Sequence, residues 1–170
     1  MPVNNIRISK LNSEINQIKK NESLKALGIV IEPNTENIGI WHATFKGPEG
    51  TPYEGGVFRV EIKFPDNYPF SAPQIVFLNK VFHPNIYMNG KICLDILGGQ
   101  WTPVMNVQIA LLSLISLLDD PNIDSPANSD AASLYKRDRD AYNKKVKEFM
   151  NNAVVNKSIS SDSDDSDEIS

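Results

Sequence analysis

The chain has 170 residues, of which 41% are hydrophobic and 22% are charged, and this balance predicts one globular domain with its own core. The formal net charge is −4, and five of the 21 acidic residues lie within the last nine positions, so the rest of the chain carries 17 basic and 16 acidic residues. A nearly neutral body lacks the concentrated basic surface of a nucleic-acid-binding protein, and we therefore do not expect nucleic acid as a partner.

The chain contains one cysteine, Cys93. A single thiol can form neither an internal disulfide nor a cysteine-based metal cluster, so we expect a reducing compartment and no metal site. The N-terminal residues lack the apolar stretch of a secretion signal, and no later run reaches the ~20 apolar residues of a membrane-spanning helix. We therefore expect a protein of the cytoplasm, the nucleus or both that does not bind membranes. We also expect a monomer.

The first half of the chain predicts a helix followed by a sheet. Between positions 6 and 27, apolar residues recur at the spacing of three and four that is typical of an amphipathic helix, at Ile8, Leu11, Ile15 and Ile18. Four extended segments follow, and they lie at 29–31, 38–45, 58–64 and 75–78. Segment 58–64 is the clearest strand, because apolar and charged residues alternate along it. Short connections with Pro, Gly and Asn join the segments, so we predict a four-stranded antiparallel meander sheet.

The second half predicts a functional loop and three helices. Segment 82–104 is long and irregular, and stretches of this kind in a compact domain are usually functional. Residues at 106–118 are apolar almost all round, which predicts a central helix buried against the sheet. Two C-terminal helices are predicted at 129–135 and 140–154. We expect an α/β (α+β) domain over residues 1–157 and a disordered acidic Ser/Asp-rich tail over 158–170.

The irregular segment contains a motif with several residues at fixed spacing. An aromatic-His-Pro-Asn tetrad at 82–85 precedes a Gly-x-Ile-Cys-Leu sequence at 90–94. This resembles the active-site signature of ubiquitin-conjugating enzymes. Further segments stand in the order that these enzymes show, and they are Gly47-Pro48, 51–56, 68–70, 100–103 and 120–122. The resemblance covers roughly residues 6 to 152.

The resemblance implies the same succession of helix, meander sheet and C-terminal helices, and it implies that Cys93 is a thioester carrier. Such an enzyme accepts ubiquitin from an activating enzyme and passes it to a substrate lysine, or to the cysteine of a HECT-type ligase. It binds no cofactor, because ATP is used upstream by the activating enzyme. Residue type alone favours Cys93 as a small buried hydrophobic residue, whereas the surrounding motif favours the carrier.

Two polar residues of the motif have alternative roles. Asn85 can donate a hydrogen bond to the negative oxygen that develops when lysine attacks the thioester. Alternatively it holds the loop by bonding to backbone, and both roles are compatible. His83 has the chemistry of a general base, but the resemblance implies a structural residue that ties down the loop.

Acidic residues of segment 119–126 are expected to face Cys93 across the site. Asp124 and Ser125 are candidate catalytic residues, and much of the family has an acidic residue at the position of Ser125. Tyr87, Asp120 and Asn122 are expected near the site in structural roles.

The resemblance also implies partner surfaces. Phe70, Pro103 and Val104 match the two loops that meet RING-type and HECT-type ligases, and ordinary loop packing is the alternative. Leu112 and Ser116 match positions that contact the carried ubiquitin, although most of that helix must be core. The first helix has a basic face for the activating enzyme, made by Arg7, Lys10, Lys19 and Lys20.

Three questions stay open at the level of the sequence. A catalytically inactive relative that only binds ubiquitin is one alternative, although such relatives lack the cysteine. A carrier of a different ubiquitin-like modifier is another. The acidic tail can select partners or substrates, or it can simply increase solubility.

Overall fold

The computed structural model describes the backbone of residues 2–163 and the side chains of residues 5–152. Helices α1 (Pro2–Lys20) and α2 (Glu22–Ala26) precede the strands β1 (Val30–Pro33), β2 (Ile40–Lys46), β3 (Val57–Lys63) and β4 (Gln74–Phe77). A short 3-10 helix (Asp95–Leu97) is followed by α3 (Val107–Asp119), α4 (Ser129–Arg137) and α5 (Arg139–Ser163). This succession confirms the predicted fold class.

The predicted N-terminal helix is divided in two at Asn21. Asn21 has extended backbone angles (φ −90°, ψ 94°), and its side-chain oxygen accepts from the Ser23 N–H at 3.0 Å, so it caps α2. The predicted apolar stripe was wrong at Ile8, which is 44% exposed, whereas Leu11 is fully buried. Helix α1 therefore packs through a stripe that begins one turn later than predicted.

The sheet is the predicted antiparallel meander, in the order β1-β2-β3-β4. Residue Ala43 of the central strand β2 lies opposite Ile31 of β1 and opposite Val60 of β3. Alternate residues of β2 and β3 are buried, namely Trp41, Ala43, Phe45, Phe58, Val60 and Ile62. One face of the sheet therefore contributes to the core.

Helix α3 contributes the other large part of the core. Asn106 caps its start by accepting from the Ile109 N–H at 2.9 Å. Its buried residues are Val107, Ala110, Leu111, Leu114, Leu117 and Leu118, and they share one hydrophobic cluster with the inner face of the sheet. The predicted central buried helix is confirmed.

Helices α4 and α5 close the domain, with only Asp138 between them. Tyr142 and Val146 of α5 are buried in the core. The backbone of α5 continues to Ser163, so the helix passes the predicted domain boundary at 157, and residues 164–170 lie outside the described residues. None of the helices within the described residues is both long and apolar enough to cross a membrane.

Candidate active site

Cys93 lies on a short extended segment that is bonded to the His-Pro-Asn tetrad. The Cys93 N–H donates to the Asn85 carbonyl at 2.8 Å, and the Tyr87 N–H donates to the Lys91 carbonyl at 2.8 Å. Gly90 makes the turn between these segments with φ +90°, and a Cβ there would lie 2.2 Å from the Phe77 carbonyl oxygen. Backbone bonds thus hold the segment while Cys93 is exposed. The exposure removes the alternative of a buried cysteine.

The side chain of Asn85 is 1% exposed, and all its polar atoms are bonded to the loop that follows α3. Its Oδ1 accepts from the Asn122 N–H at 2.8 Å. Its Nδ2 donates to the Asn122 carbonyl at 2.6 Å and to the Ser125 carbonyl at 3.3 Å. In the unloaded protein, therefore, the Asn85 amide holds two loops together, and its longer bond, to Ser125, is the one most easily given up.

His83 is fully buried, and both its ring nitrogens are bonded to backbone. Nδ1 accepts from the Asn85 N–H at 3.0 Å, and Nε2 lies 2.7 Å from the Leu117 carbonyl oxygen. Because a carbonyl can only accept, Nε2 must carry the proton. Burial lowers the pKa of His83 to about 4, and the bond to Leu117 only partly opposes this effect. The ring is thus neutral near pH 7 and has no free nitrogen with which to take a proton from a substrate.

The opposite wall of the site is formed by residues 119–128. The Ala127 and Asn128 N–H groups both donate to the Pro84 carbonyl, at 2.7 and 3.0 Å. The Asp124 N–H donates to the Asn122 side chain at 3.2 Å. The candidate residues Asp120, Asp124 and Ser125 are exposed. Since Cys93 and Ser125 are both bonded to Asn85, the structure brings the expected thioester carrier close to a candidate catalytic residue of the opposite wall.

Tyr87 is exposed, as are Asp120 and Asn122, whereas His83 is buried. The Tyr87 backbone N–H and carbonyl make the turn before Cys93, and its ring is 47% exposed. Met88, the next residue, is 49% exposed, and its sulfur lies 3.9 Å from the Asn128 Nδ2. The Tyr87 side chain is therefore accessible to solvent beside the turn that presents Cys93.

The comparison with protein families decides the identity. The model of the family described as ubiquitin-conjugating enzyme matches residues 10–150. The chain belongs to the ubiquitin-conjugating enzyme family. It is a transferase of the ubiquitin conjugation pathway, whose general partners are ubiquitin, an activating enzyme and ubiquitin ligases.

Two curated relatives of this ubiquitin-conjugating enzyme illustrate the similarity. "Ubiquitin-conjugating enzyme E2 2" of Candida albicans is 45% identical over 126 residues, which are 74% of this chain and 70% of the relative. "Ubiquitin-conjugating enzyme E2 3" of Arabidopsis thaliana is 46% identical over 129 residues, which are 76% of this chain and 86% of the relative.

The residues expected to meet ligases are exposed on two loops of the ubiquitin-conjugating enzyme fold. Phe70 is 56% exposed, Val104 is 84% exposed, and Pro103 beside it is also exposed. The loops are connected, because the Trp101 Nε1 donates to the Pro69 carbonyl at 2.8 Å. Exposed apolar side chains on two connected loops suit a small transient interface.

The outer face of α3 is exposed where ubiquitin contacts are expected. Leu112 is 44% exposed, Ser116 is exposed, and Ile109 beside them is 42% exposed. The buried residues of α3 lie on its other side. The helix therefore has an accessible face at Leu112 and Ser116, and neither residue is part of the core.

The basic face of α1 is smaller than the sequence suggests. Arg7 donates through Nε to the Pro65 carbonyl at 3.1 Å and through its Nη2 to the Phe64 carbonyl at 3.0 Å. Lys19 and Lys20 are exposed, whereas Lys10 is half-buried. Arg7 thus anchors α1 to the end of β3, and Lys19 and Lys20 are the exposed cations among the four residues expected there.

Sequence reasoning missed two buried polar groups, one that supports the site and one that lies outside it. The Tyr53 hydroxyl donates to the Phe82 carbonyl at 2.6 Å and lies 2.7 Å from the Tyr142 hydroxyl, so it links α5 to the first residue of the motif. Glu14 of α1 is 1% exposed, the only buried acidic residue among those the structure describes. The Thr-Pro-Tyr-Glu-Gly-Gly segment gave a signal for Tyr53, whereas Glu14 had none. Among the described residues, no cluster of three potential metal-binding side chains occurs.

Proposed function

We propose that Cys93 carries ubiquitin as a thioester and delivers it to a lysine of a substrate. One observation carries the proposal: the single cysteine of a chain that belongs to this family is exposed on a segment bonded to Asn85. A carrier thiol must reach two different protein partners in turn, and exposure on a backbone-held segment permits both approaches.

Both steps of the proposed reaction are acyl transfers. In loading, the Cys93 thiolate attacks the carbonyl carbon of the thioester that joins ubiquitin to the activating enzyme. A new C–S bond forms to Cys93, and the thiolate of the activating enzyme leaves. In delivery, a neutral lysine amine attacks the same carbon, a C–N bond forms, and the Cys93 thiolate leaves while the amine loses one proton to solvent.

The residues around Cys93 have three different roles in this proposal. Asn85 is proposed to hold the loop at rest and to donate from Nδ2 to the developing oxyanion once the Ser125 carbonyl is released. Asp124 and Ser125 are proposed to receive the incoming lysine, because both side chains are exposed on the opposite wall. His83, Tyr87, Asp120 and Asn122 are proposed to maintain this geometry.

The test is a loading assay with ATP, ubiquitin and a ubiquitin-activating enzyme on a non-reducing gel. The wild type is expected to form an adduct that a thiol reductant removes. Cys93→Ser is expected to form a slower adduct that resists the reductant, because an oxyester replaces the thioester. An adduct on the matched variant Cys93→Ala would overturn the proposal.

The same assay separates the two alternatives. A protein that only binds ubiquitin would give no adduct in any lane. A carrier of another modifier would give an adduct only with that modifier and its own activating enzyme. The named relatives, both ubiquitin-conjugating enzymes, support ubiquitin as the modifier.

We further propose that ligases of the RING or HECT type bind Phe70, Pro103 and Val104. The exposure of Phe70 and Val104 on loops joined by the Trp101 bond supports this proposal. Val104→Asp should abolish stimulation by a RING domain while thioester loading stays normal. Val57→Asp is the matched control, because Val57 is 60% exposed on β3, outside those loops.

The remaining expectations are proposals with direct tests. The protein is proposed to be a monomer, which light scattering after size-exclusion chromatography would measure. It is proposed to reside in the cytoplasm, the nucleus or both, which cell fractionation would measure. No cofactor of its own is proposed, and ATP is proposed to be consumed by the activating enzyme.

A further inference from the structure

Glu14 is a buried carboxylate without a part in the chemistry at Cys93. Among the side chains that the structure describes, the buried polar ones are Glu14, His83 and Asn85, and the last two belong to the active site. Burying a carboxylate is costly unless its oxygens are satisfied. The contacts of Glu14 therefore indicate what the residue does.

Both carboxylate oxygens of Glu14 accept hydrogen bonds from distant parts of the chain. Oε2 accepts from the Tyr68 hydroxyl at 2.5 Å. Oε1 accepts from the Val107 N–H at 2.7 Å. Within the described residues no cationic group lies within ion-pair distance of Glu14, and burial raises its pKa despite both bonds and the charge of Lys10.

One bond of Glu14 ends within the first of the two loops that carry the exposed apolar residues, and the other ends directly after the second loop. Tyr68 precedes Pro69 and Phe70 in the β3–β4 connection, residues 64–73, which we name the Phe70 loop. Val107 is the first residue of α3 and directly follows residues 98–106, which we name the Val104 loop. The two loops are also bonded directly to each other, because the Trp101 Nε1 donates to the Pro69 carbonyl.

The two bonds of Glu14 fix the position of the Tyr68 ring and of the first residue of α3. The Tyr68 ring is fully buried and packs against Phe64 and Trp101. The Val107 N–H is at the first turn of α3, where helical N–H groups have no partner within the helix. A short side chain at position 14 would leave this N–H and the Tyr68 hydroxyl buried and unpaired.

We propose that Glu14 is a positioning residue that holds the Phe70 loop and the Val104 loop at the separation that a ligase recognises. Its link to ligase binding rests on the proposed function of those loops. Since Glu14 lies on α1, the bonds also connect the helix expected to meet the activating enzyme with the loops expected to meet the ligase. No chemistry at Cys93 is assigned to Glu14.

Three variants separate this role from general stability. Glu14→Ala removes both bonds, and Tyr68→Phe removes one. Glu14→Gln keeps the shape, because its oxygen can accept from the Val107 N–H and its amide can donate to the Tyr68 hydroxyl. Position 14 therefore has a conservative variant that should restore the geometry.

The first measurement is hydrogen exchange of backbone amides at a temperature where every variant is folded. In Glu14→Ala, exchange should rise about tenfold or more in both loops, and it should be unchanged in residues 83–93. Tyr68→Phe should affect mainly the Phe70 loop, and Glu14→Gln should resemble the wild type. A uniform rise along the chain, no rise in the loops, or failure of Glu14→Gln to restore slow exchange would each overturn the proposal.

The second measurement is discharge of loaded enzyme to free lysine, with and without the RING domain that stimulates the wild type most in a panel. Glu14→Ala should discharge like the wild type without ligase and should need about tenfold more RING domain for half-maximal stimulation. Equal losses with and without ligase would overturn the positioning role. If no RING domain stimulates the wild type, the proposed ligase function fails, and the exchange measurement still decides whether Glu14 positions the loops.

Discussion

Asn85 and His83 are buried two residues apart in sequence. Their side chains bond to backbone groups in the last turn of α3 and in the loop that follows it. His83 holds the Leu117 carbonyl, and Asn85 holds Asn122 and Ser125. Buried polar groups with complete hydrogen bonding specify one arrangement, because any other leaves groups unpaired. At the scale of single residues, these bonds set where the opposite wall stands relative to Cys93.

We predict that Asn85→Ala loads ubiquitin normally and discharges it to free lysine about 10²-fold more slowly, if Asn85 donates to the oxyanion. The measurements are loading and single-turnover discharge rates. The matched variant Asn85→Asp keeps the acceptor for the Asn122 N–H and loses both donated bonds. Equal losses of loading and discharge, together with a lower melting temperature, would instead assign Asn85 a purely loop-holding role.

We predict that Ser125→Asp discharges faster to free lysine at pH 7. At that pH only about one lysine amine in 2,500 is neutral, so a carboxylate that orients the amine should help. The same charge raises the pKa of the amine, which opposes the gain. The substitution leaves the Ser125 carbonyl, which Asn85 holds, in place.

The check for Ser125 is the discharge rate from pH 6 to 10 for the wild type, Ser125→Asp, Ser125→Ala and Ser125→Asn. The neutral Asn variant has nearly the shape of Asp, so it separates charge from size. Coinciding profiles would exclude a role of Ser125 in the attack by lysine, and Asp124 or Asp120 would then be the residue to test.

At the scale of elements, asparagine side chains cap the starts of three helices. Asn21, Asn106 and Asn128 each accept from the backbone N–H two or three residues ahead, at the starts of α2, α3 and α4. Such caps satisfy N–H groups that have no partner inside the helix. The cap at Asn21 explains why α1 and α2 are separate, although the periodicity alone predicts one helix.

We predict that truncation after Lys157 leaves the melting temperature and thioester loading unchanged and alters only substrate or partner preference. The predicted tail begins there, whereas the α5 backbone extends to Ser163. Truncation after Ser163 is the matched control, because it keeps the whole described helix. A loss of several degrees only in the shorter variant would mean that residues 158–163 stabilise the domain.

At the scale of the whole molecule, the active site is held by groups from distant parts of the chain. Tyr142 of α5 contacts the Tyr53 hydroxyl, which bonds to the carbonyl of Phe82 at the start of the motif. Helix α3 supplies the Leu117 carbonyl to His83. The position of Cys93 thus depends on the folding of the complete domain, and so does the protonation of His83.

We predict that His83 makes the free energy of unfolding rise with pH between about 4 and about 6.5. The folded state keeps His83 neutral down to about pH 4, whereas the unfolded chain takes up the proton below 6.5, so it binds more protons in that window. The contribution is up to about 3 kcal/mol and is complete above the window. Urea denaturation at pH 4.5, 5.5, 6.5 and 7.5 measures it.

His83→Gln is the control, because it lacks a titrating ring. The difference between the two proteins cancels the other groups, including Glu14, whose raised pKa acts in the opposite direction. The difference in free energy should grow with pH through the window. Parallel curves, or His83 imidazole resonances that titrate near pH 6.5, would contradict the prediction.

Much of this protein follows from local sequence patterns. The alternation at 58–64 predicts β3, because a strand buried on one face alternates apolar and polar residues. The nearly continuous apolar run at 106–118 predicts α3, because its length suits a buried helix. The motif at 82–94 predicts the site for a similar reason: it is continuous in the chain, and so is the turn that presents Cys93.

Only the tertiary structure decided the roles of residues whose partners are distant in sequence. In the sequence, Glu14 is one of the polar residues between the apolar positions of α1, and its role depends on Tyr68 and Val107, which lie 54 and 93 residues away. The sequence places Arg7 among the surface cations of α1, yet its side chain bonds to two carbonyls just after β3. A local pattern shows only which side chains are apolar. A charged group can be buried only where folding brings hydrogen-bond partners to it, and those partners are distant in sequence.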